Sequence, residues 1–307
     1  MYGDQPLADA KRFFRAFATN QLARVAPTLY TRATGETGRG DRTGETADGV
    51  AAYFKRCFDE YFAVLDVAPE AIDAWLAGRR LIEYGPGDIP GVALLMLSRG
   101  AQKVTCVDRF RLVSLSPFAV AVLRSLLSGL EGQTRDAALA AFKDPASLEL
   151  GFREDKLEYL VTSSGLSGRK HDADLVYSRA VLEHVDDIAA TFDDIAAALA
   201  PDGVSIHQVD LKSHGLHQVT PLDFLTWPAS LWALMYSKKG VPNRWRINRY
   251  RDELARTGLR VDRLAPTGLY KDEDVRAVRS RLPSMFSGVS DPDLAWMGFW
   301  LVCRPAA

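Results

Sequence analysis

The 307-residue sequence has little to tie it down covalently: its three cysteines, Cys57, Cys106 and Cys303, stand far apart with no C-x-x-C spacing. That pattern offers neither a disulfide framework nor a thiolate zinc set. Cys106 falls in a run that reads as a buried strand, where a free cysteine behaves as a small apolar side chain. No apolar run approaches the ~18 residues of a transmembrane helix. The first residues lack the basic-then-apolar pattern of a secretory signal, so a cytoplasmic location with no membrane partner is expected. An excess of one charge is missing too, since 38 Lys and Arg face 39 Asp and Glu, for a formal net charge of −1. A nucleic-acid footprint needs a basic face, so no nucleic-acid partner is expected. Internal repeats, low-complexity tracts and an interdomain linker are also absent. What remains is 47% apolar and 25% charged residues, ordinary for a globular chain and enough for one large α/β domain or two small ones.

The informative stretch is Arg80-Leu81-Ile82-Glu83-Tyr84-Gly85-Pro86-Gly87-Asp88-Ile89-Pro90-Gly91. It reads as a short buried strand that turns through two glycines into a helix over Val92–Arg99. A second strand, Lys103–Val107, is closed by Asp108. A strand, a glycine turn and a helix start aim backbone N–H groups at a ligand, and glycine lets the backbone approach it closely. An acid at the tip of the second strand is placed to grip ribose hydroxyls. The turn departs from the dinucleotide fingerprint G-x-G-x-x-G, whose third glycine falls on Pro90, with Gly91 one residue late. Glu83, just before the turn, would repel a pyrophosphate and welcome a cationic end such as an ammonium or a sulfonium.

Taken in order, residues 7–30 predict one or two amphipathic helices. Residues 34–49 contain no large apolar side chain and predict a mobile loop. Val50–Val67 and Pro69–Leu76 predict further helix. A long helical segment with breaks follows Asp108 as far as about Glu149. Further strands are expected at Lys156–Val161, Asp174–Arg179, Val204–Asp210, Arg260–Leu264 and Ala295–Cys303. A helix pattern starts at Val181, and Pro201-Asp202-Gly203 reads as a turn. Residues 211–246 read as irregular, and helices are expected at Tyr250–Thr257 and 271–282. Strands alternating with helices at this spacing imply an α/β fold with a doubly wound, mostly parallel, seven-stranded sheet. The expected division is a helical extension or lid over 1–78 and a main domain over 79–307, with insertions at about 111–155 and 211–246.

Glu83-x-Gly85-x-Gly87 with Asp108 resembles the first two motifs of class I S-adenosylmethionine (SAM)-dependent methyltransferases, of the small-molecule, natural-product type. Asp174–Val185 resembles the segment after the fourth strand of the same family, and Pro201-Asp202-Gly203 fits it too. The resemblance covers residues 78–210 well and the last two strands more loosely. It implies a Rossmann-like fold whose seventh strand inserts antiparallel at the sheet end. It implies SAM as cofactor, with S-adenosylhomocysteine as product. It places Glu83, Tyr84, Gly85, Pro86, Gly87, Asp108, Arg109, Ser178, Arg179 and Ala180 on the cofactor, and His184 one turn into the helix that follows. The family's adenine-binding acid is missing: Thr162-Ser163-Ser164 stands there, and Ser163 is the substitute. Two rivals stay open. One is a non-methylating or non-catalytic SAM-binding protein of the same fold. The other is a nicotinamide-dependent oxidoreductase, against which Pro90 and Glu83 argue.

A sulfonium methyl is already activated, so the protein's part is alignment and exclusion of water. A hydroxyl acceptor gains from a base near neutral pH, and histidine is the usual one. His207, Asp210, His214 and His217 run from the fifth strand past its carboxyl end, where open α/β sheets bind ligands. His214 is the candidate base, Asp210 its orienting acid, and His184 a third catalytic candidate. His207, His217, Trp227 and Arg244 are candidate substrate contacts, with the aromatics of 224–245 a candidate lid. A carboxylate with two histidines is also a divalent-metal set. The spacing fixes no geometry, and no metal is assigned. The expected partner is a small metabolite methylated on O or N, such as a natural-product or sugar intermediate, and a homodimer is left open.

Overall fold

A computed structural model of the chain describes residues 6–26, 29–30 and 44–306. The predicted loop lies partly outside the described residues. Its last part already belongs to a helix, because the Thr46 hydroxyl accepts the Gly49 N–H (3.1 Å) and caps Ala47–Val64.

The helices are α1 (Pro6–Val25), α2 (Ala47–Val64), α3 (Ile72–Leu76), α4 (Gly91–Ser98), α5 (Pro117–Ser128) and α6 (Gly132–Leu139), then α7 (Ile188–Ala198), α8 (Ala229–Tyr236), α9 (Ile247–Thr257), α10 (Asp272–Arg279) and α11 (Asp291–Leu294). The strands are β1 (Arg80–Tyr84), β2 (Lys103–Asp108), β3 (Leu157–Val161), β4 (Ala173–Arg179), β5 (Leu199–Asp210), β6 (Arg260–Leu269) and β7 (Trp296–Arg304). They form one seven-stranded sheet in the order β3-β2-β1-β4-β5-β7-β6. β1 pairs in parallel with both β2 and β4, and β2 with β3. The doubly wound, mostly parallel sheet is therefore present, with one antiparallel hairpin. Among the described residues no helix is long and apolar enough to cross a membrane.

As expected, β7 inserts at the sheet end, between β5 and β6; it is mostly buried, whereas β6 is largely exposed, as a solvated edge must be. Three expectations need correction. Pro201-Asp202-Gly203 is not a turn but part of β5. A Cβ on Gly203 would stand 2.8 Å from the Ala173 carbonyl oxygen, so glycine lets the early part of β5 run against β4. The helix after β4 begins at Ile188, not Val181. Asp187 is its start signal: its carboxylate accepts the Ala190 N–H at 3.0 Å, so His184 sits in an irregular segment ahead of the helix. Residues 211–246 are not all irregular, since α8 lies within them.

The chain forms two compact units. One comprises Met1–Gly35, Ala180–Phe192 and His207–Leu301, as far as these residues are described. The other comprises Glu36–Arg179, Asp193–Ile206 and Val302–Ala307, with the same limit. In the second unit α4 is buried over its whole length. Gly91, misplaced for a dinucleotide fingerprint, has a packing role there: a Cβ on it would meet the Phe54 ring of α2 at 2.3 Å. In the first unit the aromatics Phe224, Trp227, Trp232 and Tyr236 form a core cluster with Val275, Val278 and Phe286. α1 is fixed to α8 by Asn20, whose amide donates to the Leu234 carbonyl at 2.9 Å.

Candidate functional site

In the second unit the strand register builds a rim of polar groups. Glu83 on β1 is level with Cys106 on β2 and Tyr177 on β4. Side chains level across a sheet share a face, so the Tyr177 hydroxyl donates to the Glu83 carboxylate at 3.1 Å and the Cys106 thiol at 3.7 Å. Burial raises Glu83 to about 7 against those donors, and the Asp108 charge pushes the same way. Two residues on, Gly85 (φ 66°) and Gly87 (φ 72°) turn through the left-handed region. The Gly85 N–H closes the turn onto the Val107 carbonyl at 2.8 Å. At the end of β2, one carboxylate oxygen of Asp108 accepts the N–H groups of Arg109 (2.7 Å) and Phe110 (3.2 Å).

The other predicted rim residues have varied settings. Tyr84 is buried, and its hydroxyl donates to Asp194 and to Ser167 Oγ (3.2 Å). Pro86 is buried within the turn. Ser163 is exposed in the bend after β3, which the Gly165 N–H closes onto the Thr162 carbonyl at 3.0 Å. Ser178 is buried at the end of β4. Arg179 pairs with Glu60 of α2 at 2.6 Å. Ala180, in the first unit, takes a left-handed φ of 53° and donates its N–H to the Gln208 carbonyl. A carboxyl at the end of each of two adjacent strands, with a left-handed glycine turn after the first, fits a ligand with a cationic tail and a ribose. It does not fit a pyrophosphate.

In the first unit five polar side chains converge. His184 and His214 face each other edge to face, ring centroids 5.0 Å apart. Asp210 Oδ2 lies 3.6 Å from His214 Nε2 and 3.1 Å from Lys212 Nζ. Glu183 Oε1 is 4.0 Å from His184 Nε2 and accepts the Asp210 N–H at 3.2 Å. Burial alone would raise the Asp210 carboxyl, but its bonds from His214 and Lys212 win and bring it down to about 2. Burial, reinforced by His214, lowers His184 to about 4, so it is neutral at pH 7. Burial holds the Glu183 carboxyl well above its ordinary range, and the Asp210 charge adds to this.

Two anchors fix the backbone of this cluster. The Asn243 side chain donates to the carbonyls of Leu182 (2.9 Å) and Val185 (3.3 Å), and its N–H donates to the Glu183 carbonyl (2.6 Å). Arg246, fully buried, donates to the carbonyls of Leu211 (2.8 Å) and Leu294 (2.9 Å), and to that of Trp296. At the loop's tip His214 (φ 48°) and Gly215 (φ 76°) make a left-handed turn.

The structure thus brings His184, Asp210 and His214 together. It keeps His207 inside β5, where burial alone lowers it to about 3. His217 is bonded to Ser213 Oγ at 2.5 Å. Trp227 and Arg244 are core residues: the Arg244 guanidinium donates to the Trp227 carbonyl at 2.6 Å and lies 4.5 Å from the Trp232 ring. Sequence reasoning missed Tyr177, Glu183 and Asn243. For Glu183 a signal was present, an acid next to a candidate histidine, whereas the other two act through contacts far apart in sequence.

Over residues 45–264, more than half of the chain, the sequence matches the family model described as a methyltransferase domain. No curated protein matches it in sequence. Similar solved structures include a SAM-dependent methyltransferase from Mesorhizobium loti, 17% identical, covering 76% of this chain and 96% of that chain, with a TM-score of 0.42. The geranyl diphosphate C-methyltransferase from Streptomyces coelicolor A3(2) is 13% identical over 77% of each chain, with a TM-score of 0.43. Phosphoethanolamine N-methyltransferase 2 from Haemonchus contortus is 16% identical, covering 75% of this chain and 49% of that chain, with a TM-score of 0.41. The chain therefore spans about half the length of that last protein.

Proposed function

This chain belongs to the methyltransferase-domain family, and we propose that it transfers the methyl group of S-adenosylmethionine to an oxygen or nitrogen of a small metabolite, such as a natural-product or sugar intermediate. Bound SAM supplies a methyl carbon already activated by its sulfonium. Asp108 takes the ribose hydroxyls, because its carboxylate is pre-oriented by two backbone N–H groups. Glu83 provides the negative end for the ammonium tail, and the turn Gly85-Pro86-Gly87 admits the ligand against bare backbone. Tyr84, Arg109, Ser163, Ser178, Arg179 and Ala180 complete the wall, with Ser163 in place of an adenine-binding acid. Residues 1–78 act as a helical cover and 79–307 as the catalytic body, with additions at about 111–155 and 211–246. The setting is cytoplasmic, in keeping with three free, buried cysteines.

The observation that carries the catalytic part is the Asp210–His214 pair. Asp210, held ionised, orients the imidazole and stabilises the imidazolium that forms when His214 takes the acceptor's proton. His184 stays neutral beside it and adds no opposing charge. His207, His217, Trp227 and Arg244 act on substrate only through the elements they brace, as their burial or existing bonds indicate.

The test is conversion of SAM to S-adenosylhomocysteine with a panel of hydroxylated and aminated metabolites. With an accepted substrate, His214→Ala is expected to lower turnover at least tenfold at pH 7, within the usual ~10²–10⁴-fold share of a general base. An unchanged rate removes His214 from the mechanism. Failure of SAM to bind at all removes the whole reading.

A further inference from the structure

Two imidazoles and two carboxylates within reach of one another are an unusual concentration of donors for a segment of irregular backbone. One ligand atom from each of Glu183, His184 and His214 lies within 4.8 Å of the others. Around a zinc-sized ion at ~2.0–2.1 Å, tetrahedral donors are separated by about 3.3 Å. Small side-chain rotations would close the set. Glu183 is 1% exposed, and among the described residues its Oε2 has no hydrogen-bond partner. A buried carboxylate oxygen with nothing to bond is costly, and a bound cation is the natural way to satisfy it. The frame is already stiff, because Asn243 bonds the carbonyls on both sides of Glu183 and the one of Glu183 itself.

We propose that Glu183, His184 and His214 form a binding site for one divalent transition-metal ion of the zinc class, and that metal occupancy shuts off His214 as a base. Two imidazoles with one carboxylate select Zn²⁺, Co²⁺ or Ni²⁺ over Mg²⁺ and Ca²⁺, which prefer all-oxygen sets. Asp210, next to His214, is the outer carboxylate that orients a metal-binding imidazole. The inhibitory consequence follows from lone pairs. A neutral imidazole has one N–H and one lone pair. The lone pair that binds the metal is the one that would accept the substrate's proton, so metal and base catalysis exclude each other.

The binding claim is independent of the methyltransferase reading, whereas the inhibition claim rests on it, and the experiment keeps them apart. The full chain, stripped with a chelator, is titrated with Zn²⁺ by calorimetry, and with Co²⁺ by following its visible absorption bands. The expected result is one ion per chain, with Mg²⁺ giving no saturable heat. His214→Ala and His184→Ala should each weaken Zn²⁺ at least about tenfold, the scale of losing one ligand or its support, with SAM affinity unchanged. Zn²⁺ should then inhibit turnover over the concentration range in which it binds. No saturable Zn²⁺ binding, Mg²⁺ binding as tight as Zn²⁺, or wild-type affinity in both histidine variants overturns the site. Binding without inhibition overturns the coupling and leaves the site. Should His184→Ala unfold, His214→Ala, whose ring is partly exposed, and Glu183→Gln decide the outcome.

Discussion

Two buried glutamates mark the two chemically dense regions of the molecule, and they are answered differently. Glu83, in the rim of β1, β2 and β4, receives a tyrosine hydroxyl and a thiol from the strands on either side. Glu183, in the segment before α7, accepts the Asp210 N–H on Oε1, and its Oε2 has no hydrogen-bond partner among the described residues. Burial raises both carboxyls. The first is bonded, on Oε2, by two side chains that the parallel register places beside it. The second depends on a loop and on groups far away in sequence. A region built on register carries its polar groups as part of the fold, whereas a region built on loops holds donors that a ligand can complete. The two aspartates also differ: Asp108 accepts two backbone N–H groups, whereas Asp210 accepts one, from Lys212 at 2.9 Å, and pairs with the His214 and Lys212 side chains as well.

The sharpest way to break the comparison is to damage the backbone of the rim alone. Gly85→Val puts a β-branched side chain at φ 66°, where such residues are strained by ~1–2 kcal/mol or more. It also removes the close backbone approach that the turn provides. SAM affinity measured by calorimetry should fall at least roughly a hundredfold, about 3 kcal/mol, while the protein still melts cooperatively. The Asp210–His214 region should be untouched, so Zn²⁺ binding should be unchanged. Near-native SAM affinity in this variant would show that the cofactor is held elsewhere.

A second, smaller effect separates the regions by pH. Glu83 is held at about 7 in the folded protein, whereas an unfolded glutamate loses its proton near pH 4–5. A group with a raised folded pKa contributes stability that is present below its unfolded value and is lost as pH rises through its folded value. Glu83→Gln keeps the shape and cannot ionise. Without cofactor it should match the wild type near pH 4 and exceed its stability above pH 7 by on the order of 3 kcal/mol. Asp210 has the opposite sign: held at about 2, it adds stability above its unfolded value, and that share is lost as pH falls through its folded value. Urea unfolding of the Glu83→Gln and Asp210→Asn variants from pH 3 to 8 measures both. Equal pH profiles for Glu83→Gln and wild type would mean that Tyr177 and Cys106 fully compensate burial.

The same contrast explains what was legible in the sequence. The run from Arg80 to Asp108 is readable because each of its signals is local: an apolar strand, two glycines at a turn, an apolar helix, a second strand and an acid at its tip. The cluster around Glu183 was only half readable. His184, Asp210 and His214 are visible as residue types, but the helix expected to carry His184 starts later, because Asp187 caps it. Apolar spacing at Val181, Leu182 and Val185 imitates a helix, and nothing local reveals that the segment makes a single turn bonded to Asn243 instead. Arg244 and Trp227 mislead for a related reason. A basic residue among aromatics looks like a binding surface, and only the fold shows the guanidinium stacked on Trp232 and bonded to core carbonyls. The order of β6 and β7 is likewise a tertiary choice, made by which strand can tolerate a solvated edge.

The smallest effect tests whether the loop region depends on its clasp as the rim depends on its register. Asn243→Ala removes two side-chain donors and leaves the Leu182 and Val185 carbonyls without them. Each lost bond to a buried acceptor is worth ~1 kcal/mol, so the stability loss should be about 1–2 kcal/mol. More telling is the selectivity expected of it. The Asn243 backbone N–H still holds the Glu183 carbonyl, so the segment loosens without unfolding. Amide exchange should speed up over 181–187 and 240–246 and stay slow in β1, β2 and β4. Turnover should fall several-fold while SAM affinity stays within twofold of wild type, since the rim takes nothing from Asn243. Faster exchange in β1 and β4, or a parallel loss of SAM affinity, would mean that the two regions share one cooperative unit and that the two glutamates answer to the same scaffold.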